Sequence, residues 1–166
     1  LEYVDLEPTG DPFNSIKRLE STETGKPYNP MINAGAITVA SLLPGNSVDE
    51  QVGHVQSFLA RMLGFVPTIN ENVYASEYEA SDHNRAIAYF LKAKGYLKGD
   101  VEIALQTYFR LCSIEVTTFD LAQIGLFFAS DGKIGGIEMD SSLFRITKAL
   151  MLTCGMYNAS KFIDRK

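Results

Sequence analysis

Glu77 and Asn84 stand seven residues apart in an unusually polar run, Ser76-Glu77-Tyr78-Glu79-Ala80-Ser81-Asp82-His83-Asn84-Arg85. If the run is helical, two turns put both side chains on one face. Asn33 opens an apolar stretch of helical pattern, where free amides and the positive end of the helix dipole favour a carboxylate. The three side chains offer one anion and two amides. That set suits a zwitterionic amino-acid head group, with Glu77 taking the ammonium and the amides donating to the carboxylate. Plainer readings stand beside this one: Asn33 caps a helix, and Glu77 and Asn84 form a solvated helix start. Tyr108 lies between Leu105 and Leu111 on a helix flank, where an aromatic usually serves the core. Tyr157 follows Cys154-Gly155-Met156, a tyrosine held in a glycine turn just past a helix end. His54 and His83 have no His or Cys at ligand spacing, so no metal site is expected. Ser130-Asp131-Gly132-Lys133 has the Ser-x-x-Lys spacing that puts a nucleophile and its base one turn apart on a helix. Asp-Gly between them is turn chemistry, so Ser130 is not expected to be a nucleophile.

The elements that must position these residues are helices. Asn29-Pro30-Met31-Ile32-Asn33-Ala34-Gly35-Ala36 combines a proline suited to a helix approach with small residues that let another backbone or a ligand come close. It predicts a helix over 33–43, stopped by Pro44-Gly45. Residues 1–30 hold four of the six prolines and several glycine turns, a loop-rich lead-in that Phe13 and Ile16 pin to the core. Ser47 with Glu50 forms a capping box for a helix bearing Val52, Val55, Phe58, Leu59 and Met62 on one stripe and ending at Gly64. Residues 65–73 read as loop. Helices are then predicted up to Gly95, from Asp100 through Leu111, from the Thr117–Asp120 box with Leu121, Ile124, Leu126 and Phe127, and over 143–153 with Leu143, Ile146, Leu150 and Met151 inward. About six helices, few strand signals and no repeat make an all-α or mainly α pattern. The chain divides into a lead-in over 1–30, a helical core over 31–157 and a tail over 158–166.

Composition excludes several classes. The 166 residues are 46% apolar and 21% charged, which is a globular balance. The net charge of −5 argues against a nucleic-acid partner, which needs a basic face. No apolar run of membrane-spanning length occurs, so no membrane segment is expected. No signal peptide is visible. Cys112 and Cys154 lie in apolar helical patterns that suit buried free thiols in a reducing compartment, hence the cytoplasm, or the mitochondrion in a eukaryote. The chain begins Leu1-Glu2-Tyr3-Val4 without an initiator methionine, as an excised segment would.

Five collinear motifs resemble the glutaminase family of the serine β-lactamase-like fold. They are Glu7-Pro8-Thr9-Gly10-Asp11-Pro12-Phe13-Asn14-Ser15, Asn29 through Ile37, Ser76-Glu77 through Asp82-His83-Asn84, Tyr108-Phe109 with Leu111 to Val116, and Cys154-Gly155-Met156-Tyr157. The resemblance implies hydrolysis of L-glutamine to L-glutamate and ammonia, without a cofactor, by an enzyme that is a homo-oligomer when intact. It implies that Asn33, Glu77, Asn84 and Tyr108 hold substrate and that Tyr157 stands close to the catalytic serine, as substrate-binding and catalytic residue. The family's Ser-x-x-Lys helix would precede Leu1 and its Lys-Ser-Gly strand would follow Lys166. The expectation is therefore the helical part of the enzyme, inactive alone, with most of the α/β part missing. Asn158 and Lys161 depart from the family pattern, which has Asp and Gly there. The alternatives are a non-catalytic helical binding or scaffolding module and a β-lactam-binding relative.

Overall fold

A computed structural model of the chain describes residues 2–133 and 137–160. Among them are eight helices and no strand: α1 (Lys17–Ser21), α2 (Asn33–Ser41), α3 (Val48–Leu63), α4 (Glu71–Glu79), α5 (Asp82–Ala93), α6 (Val101–Cys112), α7 (Thr118–Ala129) and α8 (Ser141–Cys154). The all-α expectation holds, with two more helices than the sequence suggested. The extra ones are α1, one turn and a half inside the lead-in, and α4, which begins within the stretch read as loop. α4 buries none of its residues, so no apolar stripe announces it.

Helix α6 is the central post. Asp100 caps it, its Oδ1 accepting from the amides of Glu102 (2.8 Å) and Ile103 (3.0 Å). Its buried residues Val101, Ala104, Leu105 and Phe109 meet Ile37 of α2 and Ile87, Ala88 and Leu91 of α5 in the main core. α3 and α4 pack against other faces of α6. A second, smaller core joins α7 and α8 through Phe127, Ile137 and Phe144, with Phe58 and Met62 of α3 closing it. There the Phe127 and Phe144 rings meet edge to face, centroids 5.4 Å apart.

The expected inward face of α8 holds at Leu150 alone, and of the apolar residues named on α7 only Phe127 is buried. Leu121, Leu126, Leu143, Ile146 and Met151 are exposed; Phe127, Phe144, Leu150 and Cys154 face inward. Leu126 and Phe127 are sequence neighbours, and α7 is apolar nearly all round, so a helical period cannot choose its buried side. Cys112 is exposed and Cys154 buried, both as free thiols, which corrects the expectation that both are buried. In the lead-in, Ile16 packs on the main core as expected, whereas Phe13 is exposed.

Gly35 shows why α2 is built from small residues. A Cβ placed there would lie 1.9 Å from the carbonyl oxygen of Asn29, inside any possible contact. The chain before the helix folds back against the helix's own first turn, and only glycine leaves room. Gly35→Ala is expected to destabilise the chain by about 1–3 kcal/mol or more, since backbone rather than a side-chain tip must move. A urea melt reads this; an unchanged midpoint would show that the approach is not fixed in solution.

Candidate functional site

The site begins with the turn into α2. Asn29 is buried, and its Oδ1 accepts from the amides of Met31 (3.0 Å) and Ile32 (3.3 Å) while its Nδ2 donates to the Glu7 carbonyl (2.9 Å). An asparagine that bonds backbone two and three residues on sets a turn. Asn29 was not singled out as a candidate from sequence, although its place before Pro30 was the available signal. The residue at the cap of α2 is Ile32, with no side-chain bond, so Asn33 is the first helical residue and not the cap. This corrects the capping reading. Freed from that duty, the Asn33 side chain reaches across to α5, where Nδ2 donates to Asn84 Oδ1 at 2.9 Å. Its backbone amide donates to the Phe13 carbonyl (2.9 Å).

Glu77 and Asn84 do not share a helix. α4 ends at Glu79 and α5 starts at Asp82, so their seven-residue spacing bridges a corner. That overturns the single-face geometry expected from sequence, yet the corner brings Asn84 to Asn33 and Glu77 towards Tyr108. Asn70 starts α4, its Oδ1 accepting from Asn72 and Val73 amides, both at 3.1 Å. Buried Ser81 occupies the corner, its hydroxyl donating to the Tyr78 carbonyl at 2.6 Å. Glu77 is exposed and has no ion-pair partner among the described residues.

Tyr108 projects from α6 into the same region, half-buried. Burial pushes its phenol well above the usual tyrosine range, and Cys112, Glu77 and Tyr157 nearby push the same way. The hydroxyl therefore keeps its proton and serves as a donor. An apolar groove of about 310 Å³ runs from Tyr108 and Cys112 past Leu111 and Val55 to Val39 and Pro30.

Tyr157 closes the edge. Its φ of 50° lies in the left-handed region, a conformation that costs a bulky residue about 1–3 kcal/mol and persists only where its surroundings hold it. Here buried Ser160 accepts from the Met156 amide (3.1 Å), and the Tyr157 ring rests on Phe13, centroids 5.3 Å apart. Phe13 is thus tied to the turn that follows α8. His83 also holds this loop, its Nε2 donating to the Asn14 carbonyl. Lys161, one of the two departures from the family pattern, lies outside the described residues.

Among the described residues, no group of three or more His, Cys, Asp or Glu could hold a metal ion. Nor is any helix long and apolar enough to cross a membrane. Ser130 and Lys133 do not share a helical face: α7 ends at Ala129, Asp131 (φ 53°) and Gly132 (φ 77°) are left-handed, and Ser130 Oγ donates to the Phe127 carbonyl. What the site can do is recognise. It presents an unpaired carboxylate, two amides bonded to each other by one arm each, and a protonated phenol.

Known proteins give this arrangement its context. The family profile for Glutaminase matches residues 1–163. Glutaminase 2 of Bacillus anthracis is 56% identical over 164 residues, covering 96% of this chain and 50% of the relative. Glutaminase 1 of Bacillus subtilis is 50% identical over 163 residues, again 96% of this chain and 50% of the relative. The crystal structure of a probable glutaminase of Bacillus subtilis superposes with a TM-score of 0.93 at 48% identity, over 98% of this chain and 53% of that one. A probable Bacillus subtilis glutaminase complexed with 6-diazo-5-oxo-L-norleucine gives 0.82 at 42% identity, over 98% and 49%. The chain spans about half the length of the relatives it matches. A profile that matches nearly every residue, and relatives near half identity along the whole chain, establish that this chain belongs to the glutaminase family of the serine β-lactamase-like fold.

Proposed function

We propose that this chain carries the head-group recognition site of a glutaminase, an enzyme that hydrolyses the side-chain amide of L-glutamine to L-glutamate and ammonia. The observation that supports the reading is the bond between Asn33 of α2 and Asn84 of α5, together with an unpaired Glu77 carboxylate close enough to the Tyr108 phenol to act on it electrostatically. Glu77 takes the substrate ammonium. The Asn84 amide nitrogen, which has no hydrogen-bond partner among the described residues while its oxygen accepts from Asn33, donates to the substrate carboxylate, and the protonated Tyr108 is a second donor. A relative complexed with an L-norleucine derivative, itself an α-amino acid, supports a site for that head group.

In the acyl transfer that the family resemblance implies, a lysine takes the proton of a serine, the serine attacks the side-chain amide, ammonia leaves and water hydrolyses the acyl-enzyme. This chain holds no Ser-x-x-Lys on a helix among its described residues, so the part proposed for it is binding; the family resemblance implies that Tyr157, beside the catalytic serine of the intact enzyme, passes the proton to the leaving ammonia. Substitution at the carboxylate tests the reading. In a full-length glutaminase that carries these residues, Glu77→Gln raises KM for glutamine; unchanged KM and kcat would sink the assignment.

A further inference from the structure

We infer that Arg85 is a positioning residue for substrate recognition: by clasping the corner between α4 and α5, it sets where the Glu77 carboxylate stands relative to Asn84. The inference rests on the reading of Glu77 and Asn84 as head-group ligands. Those two residues lie on different helices, so their separation is fixed by the corner and not by a helical repeat. Arg85 is the side chain that binds the corner from several directions at once. Its Nε donates to Ser81 Oγ at 2.9 Å, and that hydroxyl in turn donates to the Tyr78 carbonyl at the end of α4. Its Nη1 pairs with Glu102 in the first turn of α6. Its guanidinium lies 5.0 Å above the Tyr78 ring, one residue from Glu77. The Tyr78 ring also meets buried Phe109 edge to face, 6.4 Å between centroids, one residue from Tyr108. One guanidinium thus joins the ends of α4 and α5 to the helix that carries Tyr108.

The chemistry requires arginine. A planar fork can hold a hydroxyl at Nε, a carboxylate at Nη and an aromatic face together. A lysine ammonium has one charged point on a flexible stem, so it can keep the Glu102 pair but cannot also hold Ser81 and lie over Tyr78. None of these contacts is with Asn33, Glu77, Asn84 or Tyr108, so Arg85 acts through the corner that carries them.

The test uses a full-length glutaminase carrying these residues, with Arg85→Ala, Arg85→Lys, Ser81→Ala, Glu77→Gln and Gln51→Ala. Gln51→Ala breaks the buried 2.7 Å bond from Thr107 on the α3 side of α6 and serves as a stability control. Arg85→Ala is expected to raise KM for glutamine at least about tenfold, within what a misplacement of about 1 Å costs a bound substrate. It should leave kcat within about threefold, the pattern of lost ground-state binding. Arg85→Lys should recover most of the melting temperature but not KM, and Ser81→Ala should raise KM several-fold. Gln51→Ala should lower the melting temperature with KM unchanged. If Arg85→Ala does not fold, Arg85→Lys and Ser81→Ala carry the same readout. KM unchanged in the Arg85 and Ser81 variants, while Glu77→Gln raises it, would overturn the positioning role alone. KM unchanged in Glu77→Gln as well would overturn the head-group reading beneath it. A normal KM in Arg85→Lys, with Arg85→Ala impaired, would show that charge and not the clasp matters, and would also overturn the inference.

Discussion

Ammonia release from millimolar glutamine by the purified 166-residue chain is expected to stay at background. Acyl transfer needs a nucleophile with a positioned base. The Ser-x-x-Lys pair within this chain spans a turn: Ser130 ends α7, two left-handed residues follow, and the Lys133 amide bonds back to the Ser130 carbonyl at 3.3 Å. The Asp131 carboxylate between them is engaged by Lys148 at 2.6 Å. Loss of nucleophile and base together costs a serine hydrolase about 10⁶-fold in kcat. The chain is expected to fall at least that far below an intact glutaminase. Glutamine binding should also be weak, because Glu77 is exposed and its carboxylate competes with water for the substrate ammonium. The check is an ammonia assay with Ser130→Ala as control. Turnover well above background that this substitution abolishes would mean the turn supplies a nucleophile after all.

Replacing Glu77 by Gln in a full-length glutaminase carries the second large effect. The substitution keeps size and shape and removes one charge. In the proposed complex that charge faces the substrate ammonium, and charged hydrogen bonds of this kind are worth about 2–4 kcal/mol when one partner is lost. That corresponds to a rise in KM of roughly 30- to 700-fold. The lower end applies to a carboxylate still wetted by solvent, the upper to one covered when substrate is held. No lysine or arginine among the described residues pairs with Glu77, so no internal ion pair competes with the ammonium. A β-lactam-binding relative would behave differently: the full-length protein would take a penicillin as a covalent adduct visible by mass spectrometry.

Local signals in the sequence were legible where a side chain meets its own backbone. The Thr117–Asp120 capping box forms in full, and Asp100 caps α6 as its spacing predicts. Ser47 accepts from the Glu50 amide, but Glu50 bonds the Asn46 amide instead of closing the box, because the chain bends at Gly45. Less legible were features set by partners far along the chain. The α4–α5 corner was hidden because Glu77 to Asn84 is polar throughout, with no apolar period to break at Ala80-Ser81. The buried sides of α7 and α8 depend on which aromatic rings find one another across space. Asn33 read as a cap because asparagine favours caps; Asn29, four residues earlier, had already made the turn. The family motifs compensated, since they pick out the same residues without needing the helix boundaries.

The contact between Phe13 and Tyr157 also has a consequence for biosynthesis. Every residue named in the main core lies between Leu19 and Phe109, so that core can consolidate while the chain is still being made. The edge formed by Tyr157 cannot exist until translation has run on to the end of α8 and beyond. At roughly 5–20 residues per second that interval lasts a few seconds. During it the nascent chain is a packed helical body with Phe13 uncovered and the recognition edge unfinished. Synthesis of the segment after α8, and not collapse of the core, therefore sets the earliest moment at which this edge can form.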